Sequence, residues 1–149
     1  MKKTILLWGL VCFGVATGCT TAIHSRVPIP QPQIVPCDDS LPQEFKNFPR
    51  RWERYSYFSD WPGTMDLVFI VEEFISQNKA KIIYAWGDSS WGKGGYYQGP
   101  IKIIYQPGKI TFVMATVTLY YEHNQMIGTK PVNTTYGGLQ IAKIIMKPF

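Results

Sequence analysis

Cysteine, histidine and long apolar runs are scarce in this chain, and each scarcity closes off a class of protein. The 149 residues include three cysteines and two histidines. Cys12 and Cys19 fall near the N-terminus, which leaves Cys37 as the one thiol for the remainder. One thiol cannot close an internal disulfide, so stability must come from packing and sheet hydrogen bonds. His24 and His123 stand alone in sequence, so neither a metal centre nor another cofactor is expected. The longest apolar stretch, Ile5 to Val15, is shorter than the ~20 residues of a membrane-spanning helix. No interior stretch repeats apolar residues with the period of a long helix. Charge is also sparse, with a formal net charge of +5. Without a recognition-helix or finger pattern, so mild an excess does not indicate nucleic acid as a partner.

The N-terminus compensates for its short apolar run with an ordered grammar. Lys2 and Lys3 give a positive start, Ile5 to Val15 an apolar centre, and Ala16-Thr17-Gly18-Cys19 a small-residue ending. This resembles the bacterial lipobox, in which the leader is cut off before the cysteine and acyl chains are attached to it. The resemblance implies a signal peptide over 1–18, lipid attachment (palmitate included) at Cys19, and the bilayer as a partner. Thr20, where an acidic residue would signal inner-membrane retention, implies the outer membrane in a Gram-negative cell envelope. Several acyl chains give stable anchoring where a single chain binds only reversibly. An ordinary secretory signal with an incidental cysteine is the simpler alternative.

Removing the leader takes Lys2 and Lys3 with it and lowers the formal charge to +3. The 131 residues from Cys19 onward suffice for one domain. Residues 19–50 read as a lipidated end followed by a disordered linker. Pro28, Pro30, Pro32 and Pro36 favour an extended spacer, and Leu41 to Phe45 reads as a short turn or helical start. At ~3.1 Å per residue such a spacer would hold a domain several nanometres from the bilayer. Residues 51–149 read as the folded domain. At its start lie Arg50, Arg51 and Arg54, either a basic surface for acidic lipid or glycan or simply a solvated approach to the domain.

From there β-branched and aromatic residues dominate. Met65 to Phe74 and Lys79 to Trp86 read as two strands around a short connection. Pro100 to Gln106, with Ile101, Ile103 and Tyr105 on one face, turns at Pro107-Gly108 into Lys109 to Met114. Val117, Leu119 and Tyr121 form the apolar face of the next strand, and Asn124-Gln125 turns it into Met126 to Val132. Leu139, Ile141 and Ile145 form a closing strand, with an amphipathic helix over 138–147 as the alternative. Seven or so strands with short turns indicate an all-β antiparallel fold. A small barrel is favoured over a sandwich because closure removes exposed edges.

The segments Trp61 to Leu67, Ile83 to Gly87 and Gly92 to Gly99 resemble those of a lipocalin-like (calycin-type) barrel. The likeness implies that a small amphipathic ligand or a glycan binds at the barrel mouth. The segment Trp86 to Gly99 supplies the candidates. Trp86, Trp91, Tyr96 and Tyr97 offer planar apolar surface with polar tips, and Asp88 and Gln98 offer directional hydrogen bonds. Its glycines permit tight turns, and the structural alternative is that the tryptophans merely close the barrel end.

Catalysis is less favoured than binding. Asp66, Glu72, Glu73, Asp88 and Glu122 could form a carboxylate pair, but no spacing identifies one. Ser89, Ser90, His123 and Asp88 lack a nucleophile elbow. Gly92 to Gly95 lacks the phosphate-loop pattern, and Asn133-Thr134-Thr135 reads as a turn. The competing functions are thus a ligand-binding module, a structural or protein-interaction domain of the envelope, and a hydrolase with a dispersed site.

Overall fold

The computed structural model describes residues 27–57, 64–88, 92–133 and 138–149. Eight strands follow one short helix: α1 (Gln43–Lys46), β1 (Arg51–Tyr57), β2 (Thr64–Ser76), β3 (Lys79–Trp86), β4 (Gly95–Gln106), β5 (Lys109–Val113), β6 (Thr118–Glu122), β7 (Gln125–Asn133) and β8 (Leu139–Pro148). Each strand pairs antiparallel with the next, and β1 pairs with β8, so the sheet closes into an up-and-down barrel. Closure rules out the two-sheet sandwich, and the eight-stranded up-and-down plan is that of calycin-type barrels in general. The segment over 138–147 is strand and not helix.

Alternation places one face of each strand inside. Phe69, Val71, Ile82, Ile103, Ile110, Phe112, Leu119, Met126, Ile144 and Met146 fill the interior and are all buried. Gly128 faces inward opposite Leu119, and a Cβ there would sit 2.7 Å from the Thr118 carbonyl oxygen. The β4–β5 hairpin turns at Pro107-Gly108, where Gly108 has φ +80°. The β6–β7 turn falls on His123 and Asn124, both at positive φ, one residue earlier than the sequence suggests.

Four expectations need correction. The eighth strand is β1, whose mixed basic and aromatic composition hides its alternation. β4 starts at Gly95, not Pro100, because Gly95 and Gly99 are packing sites and not turns. A Cβ at Gly95 would lie 2.9 Å from the Trp86 ring, and one at Gly99 2.9 Å from the Tyr97 hydroxyl. In β8 the inward residues are Ala142, Ile144 and Met146, whereas Leu139 and Ile141 stand 70% and 64% exposed on the outside. The apolar row of Leu139 and Ile141 that marks the strand in the sequence is therefore the outer one.

The fourth correction concerns the linker, which from Val27 onward is part of the folded unit. Val27 and Ile29 pack on the outer wall against Val68, Ile70, Ile83 and Ala85. Farther along, Val35 donates its N–H to the Glu72 carbonyl at 2.8 Å, and Gln33 donates to Glu72 Oε1 at 2.9 Å. This strap runs beside β2 in the same direction. Prolines suit it because most of its N–H groups face no strand. Beyond it, Leu41, Phe45 and Phe48 are buried in the barrel's end, with Phe45 4.8 Å from the Phe74 ring and Phe48 5.4 Å from the Phe112 ring. The short helix is held by this packing, since four residues form no stable helix alone.

The barrel thus has a closed floor and a mouth. The floor carries α1 and the β2–β3, β4–β5 and β6–β7 turns. The mouth carries the other four connections.

Candidate functional site

A cavity of about 500 Å³ lies at the mouth. Tyr84 and Trp86 of β3 project into it from one side, their ring centroids 5.8 Å apart. Strand register places Tyr97 opposite Tyr84 and Gly95 opposite Trp86. Ile101, Met114 and Val117 supply apolar wall, and Lys102 and Lys130 also line the cavity.

The cavity exists because β4 outlasts β5. Pairing between them starts at Lys102 with Val113, so Gly95 to Ile101 have no strand on that side among the described residues. Ile103 donates its N–H to Asn78 on the β3 side. Backbone groups alternate in direction along a strand, so Pro100 presents its carbonyl and its missing N–H to the open side. The Tyr97 hydroxyl donates to that carbonyl at 2.9 Å. The cavity sits in the gap between this edge and the 114–117 turn.

Two polar side chains in the cavity wall, Tyr84 and Lys130, have no protein partner among the described residues. The Tyr84 side chain is buried and its hydroxyl makes no hydrogen bond; burial pushes its phenol well above the ordinary value. Lys130, on β7 opposite the buried Ala142, faces inward, and burial lowers its amine below the ordinary lysine value. It has no ion pair among the described residues. No carboxylate lines the cavity among those residues.

The candidates read from sequence divide into distinct groups. Trp86 and Tyr97 line the cavity. Tyr96 is exposed on the outer face at the mouth, next in sequence. Asp88 shapes the β3–β4 connection, its Oδ1 accepting the Gly94 N–H at 2.6 Å. Gln98 faces the outer wall, and its Nε2 donates to Glu72 Oε1 at 2.9 Å. Trp91 lies outside the described residues, as do Cys19, the leader, His24, Ser89, Ser90, the Trp61-Pro62-Gly63 segment and Thr134-Thr135. Tyr84 and Lys130 went unnoticed in the sequence. The signal was there: Met126, Gly128 and Lys130 share a strand face, and only a register for β7 makes that lysine an interior one.

Of Arg50, Arg51 and Arg54, the first two belong to the floor. Arg50 lies over the Phe74 ring at 4.8 Å and Arg51 over the Phe149 ring at 4.8 Å, with Arg51 Nε also donating to Glu53 at 2.7 Å. Arg54 lies in β1. The carboxylates are engaged as well. Glu72 Oε2 forms an ion pair with Lys81 Nζ at 3.3 Å on the outer wall, and Glu122 lies 3.8 Å from Lys109. Among the described residues no three His, Cys, Asp or Glu side chains gather into a metal site. Cys37 is a free thiol, half-buried against the floor.

No family model, curated protein or solved structure matches the chain.

Proposed function

We propose that this protein is a lipocalin-like binding module of the bacterial envelope, anchored through an acylated Cys19, whose mouth cavity takes a small amphipathic ligand with an acidic head. The observation that carries the reading is that Tyr84 and Lys130 both line one largely apolar cavity, the Tyr84 hydroxyl buried without a hydrogen bond and Lys130 without an ion pair among the described residues. A buried polar group left unbonded costs roughly 1–3 kcal/mol. An anionic head would satisfy both, while its apolar chain covers Trp86, Met114 and Val117. About 500 Å³ is within the range of small-molecule sites.

The glycan alternative is less well supported. A sugar needs several free directional groups, and Asp88 and Gln98 are already committed to Gly94 and Glu72. The hydrolase alternative has no carboxylate in the cavity wall among the described residues.

Calorimetric titration of the full-length protein with dodecanoate tests the proposal. One saturable site is expected, with Trp86→Ala weakening it about tenfold, the equivalent of ~1.4 kcal/mol, and leaving circular dichroism unchanged. Absence of saturable binding, or an unaltered affinity in the variant, would refute it.

A further inference from the structure

The strap determines which way the barrel faces its anchor. It runs from Val27, against the mouth-side residues Val68 and Ala85, down to Val35 at Glu72. From Cys19 to Val27 is eight residue steps, at most about 29 Å if fully extended. From the mouth side, that length reaches a bilayer easily. To turn the floor toward the membrane, the whole segment would have to be drawn taut along the barrel wall.

The mouth rim has the chemistry for such a surface. Leu139 pairs with Asn133 and Ile141 with Pro131, which places both at the mouth end of β8, and they are 70% and 64% exposed. Tyr96 stands exposed at the mouth end of β4. Exposed aliphatic side chains on one wall of the mouth and a tyrosine on the opposite wall, four strands away, with a cavity between them that Lys102 and Lys130 help to line, match an interface of acyl chains below anionic headgroups. The floor also exposes Phe149 and Ile75, but there Arg50 and Arg51 lie over aromatic rings and Arg51 pairs with Glu53, and the anchor would reach that end only when drawn taut.

We infer that the barrel stands mouth-down on the bilayer, with Leu139, Ile141 and Tyr96 seated among the lipid headgroups, and that the cavity is loaded from the membrane. This rests on the anchor and ligand proposed above.

Residues 96 and 106 form a ruler on one strand, ten residues or about 33 Å apart. The acylated full-length protein, carrying Cys37→Ser and a donor dye on either Tyr96→Cys or Gln106→Cys, is placed on vesicles of phosphatidylethanolamine and phosphatidylglycerol with a lipid-bound acceptor. Energy transfer from position 96 should exceed that from 106 several-fold. Equal transfer, or more from 106, overturns the orientation. The double variant Leu139→Asp, Ile141→Asp should take up dodecanoate from vesicles at least tenfold more slowly while binding free dodecanoate with unchanged affinity. Equal uptake rates also overturn the inference. Mass spectrometry of the mature N-terminus reads the anchor separately, and an unmodified Cys19 defeats the orientation. Failure of the protein to bind free dodecanoate would defeat the ligand reading and leave the energy-transfer result standing.

Discussion

Gln98 reaches across the outer wall of the barrel to Glu72, its amide 2.9 Å from Oε1 of a carboxylate that is 0% exposed. Glu72 is the extra residue of an irregularity in β2, where the register to β3 shifts between Val71 and Glu73. The shift places its carboxylate under the strap, where Oε1 also accepts the Gln33 N–H and Oε2 lies 3.3 Å from the Lys81 ammonium in an ion pair. A buried carboxylate is tolerated when donors converge on it.

Removing that acceptor should therefore release the strap. Glu72→Ala is expected to lower unfolding free energy by about 2–3 kcal/mol. Hydrogen exchange should accelerate at Gln33 and Val35 and remain slow in β5 and β6. Unchanged protection at those two amides would show that the apolar contacts of Val27 and Ile29 suffice.

Tyr84 and Lys130 give stability opposite dependences on pH. The folded phenol holds its proton above the ordinary value near 10. As pH rises past 10 the unfolded chain loses that proton first, so stability falls. The folded amine releases its proton below the ordinary 10.5. Between its lowered value and 10.5 the unfolded chain binds more protons, so stability rises with pH. Denaturant titrations of Tyr84→Phe should show a shallower alkaline loss, and those of Lys130→Met should lack the rise. Tyr84→Phe should also gain about 1 kcal/mol near neutrality, because it deletes a buried hydroxyl without a partner. A loss of stability there would mean that the hydroxyl is satisfied in solution.

The floor should be structural throughout. Phe45→Ala empties a fully buried site between Phe74 and Tyr105 and is expected to cost about 3–5 kcal/mol. Its affinity for dodecanoate, measured where the variant is still folded, should match that of the parent. A tenfold change in that affinity would mean that floor and mouth are coupled.

The sequence shows the barrel most clearly where one face is apolar and the other polar. Ile101, Ile103 and Tyr105, or Val117 and Leu119, have one possible inner face, and the strands formed there. Legibility failed where both faces are apolar. In β8, Leu139 and Ile141 compete with Ala142, Ile144 and Met146, and only pairing with β7 decides between them. It failed again in the strap, because proline-rich composition reports an extended backbone and says nothing of what that backbone lies against. Of the aromatic cluster in the β3–β4 region, Trp86 and Tyr97 line the cavity, whereas Gln98 turns to the outer wall because adjacent strand residues face opposite sides.

The proline at the open side of β4 has a consequence for crowding. Under the proposed anchoring, copies sharing a membrane would meet in two dimensions, where an unpaired strand would recruit its neighbours into a continuous ribbon. Pro100 offers such a neighbour no hydrogen to accept, and Tyr97 already occupies its oxygen. At Pro100, therefore, the open edge of β4 has neither a donor nor a free acceptor for a second copy of the chain.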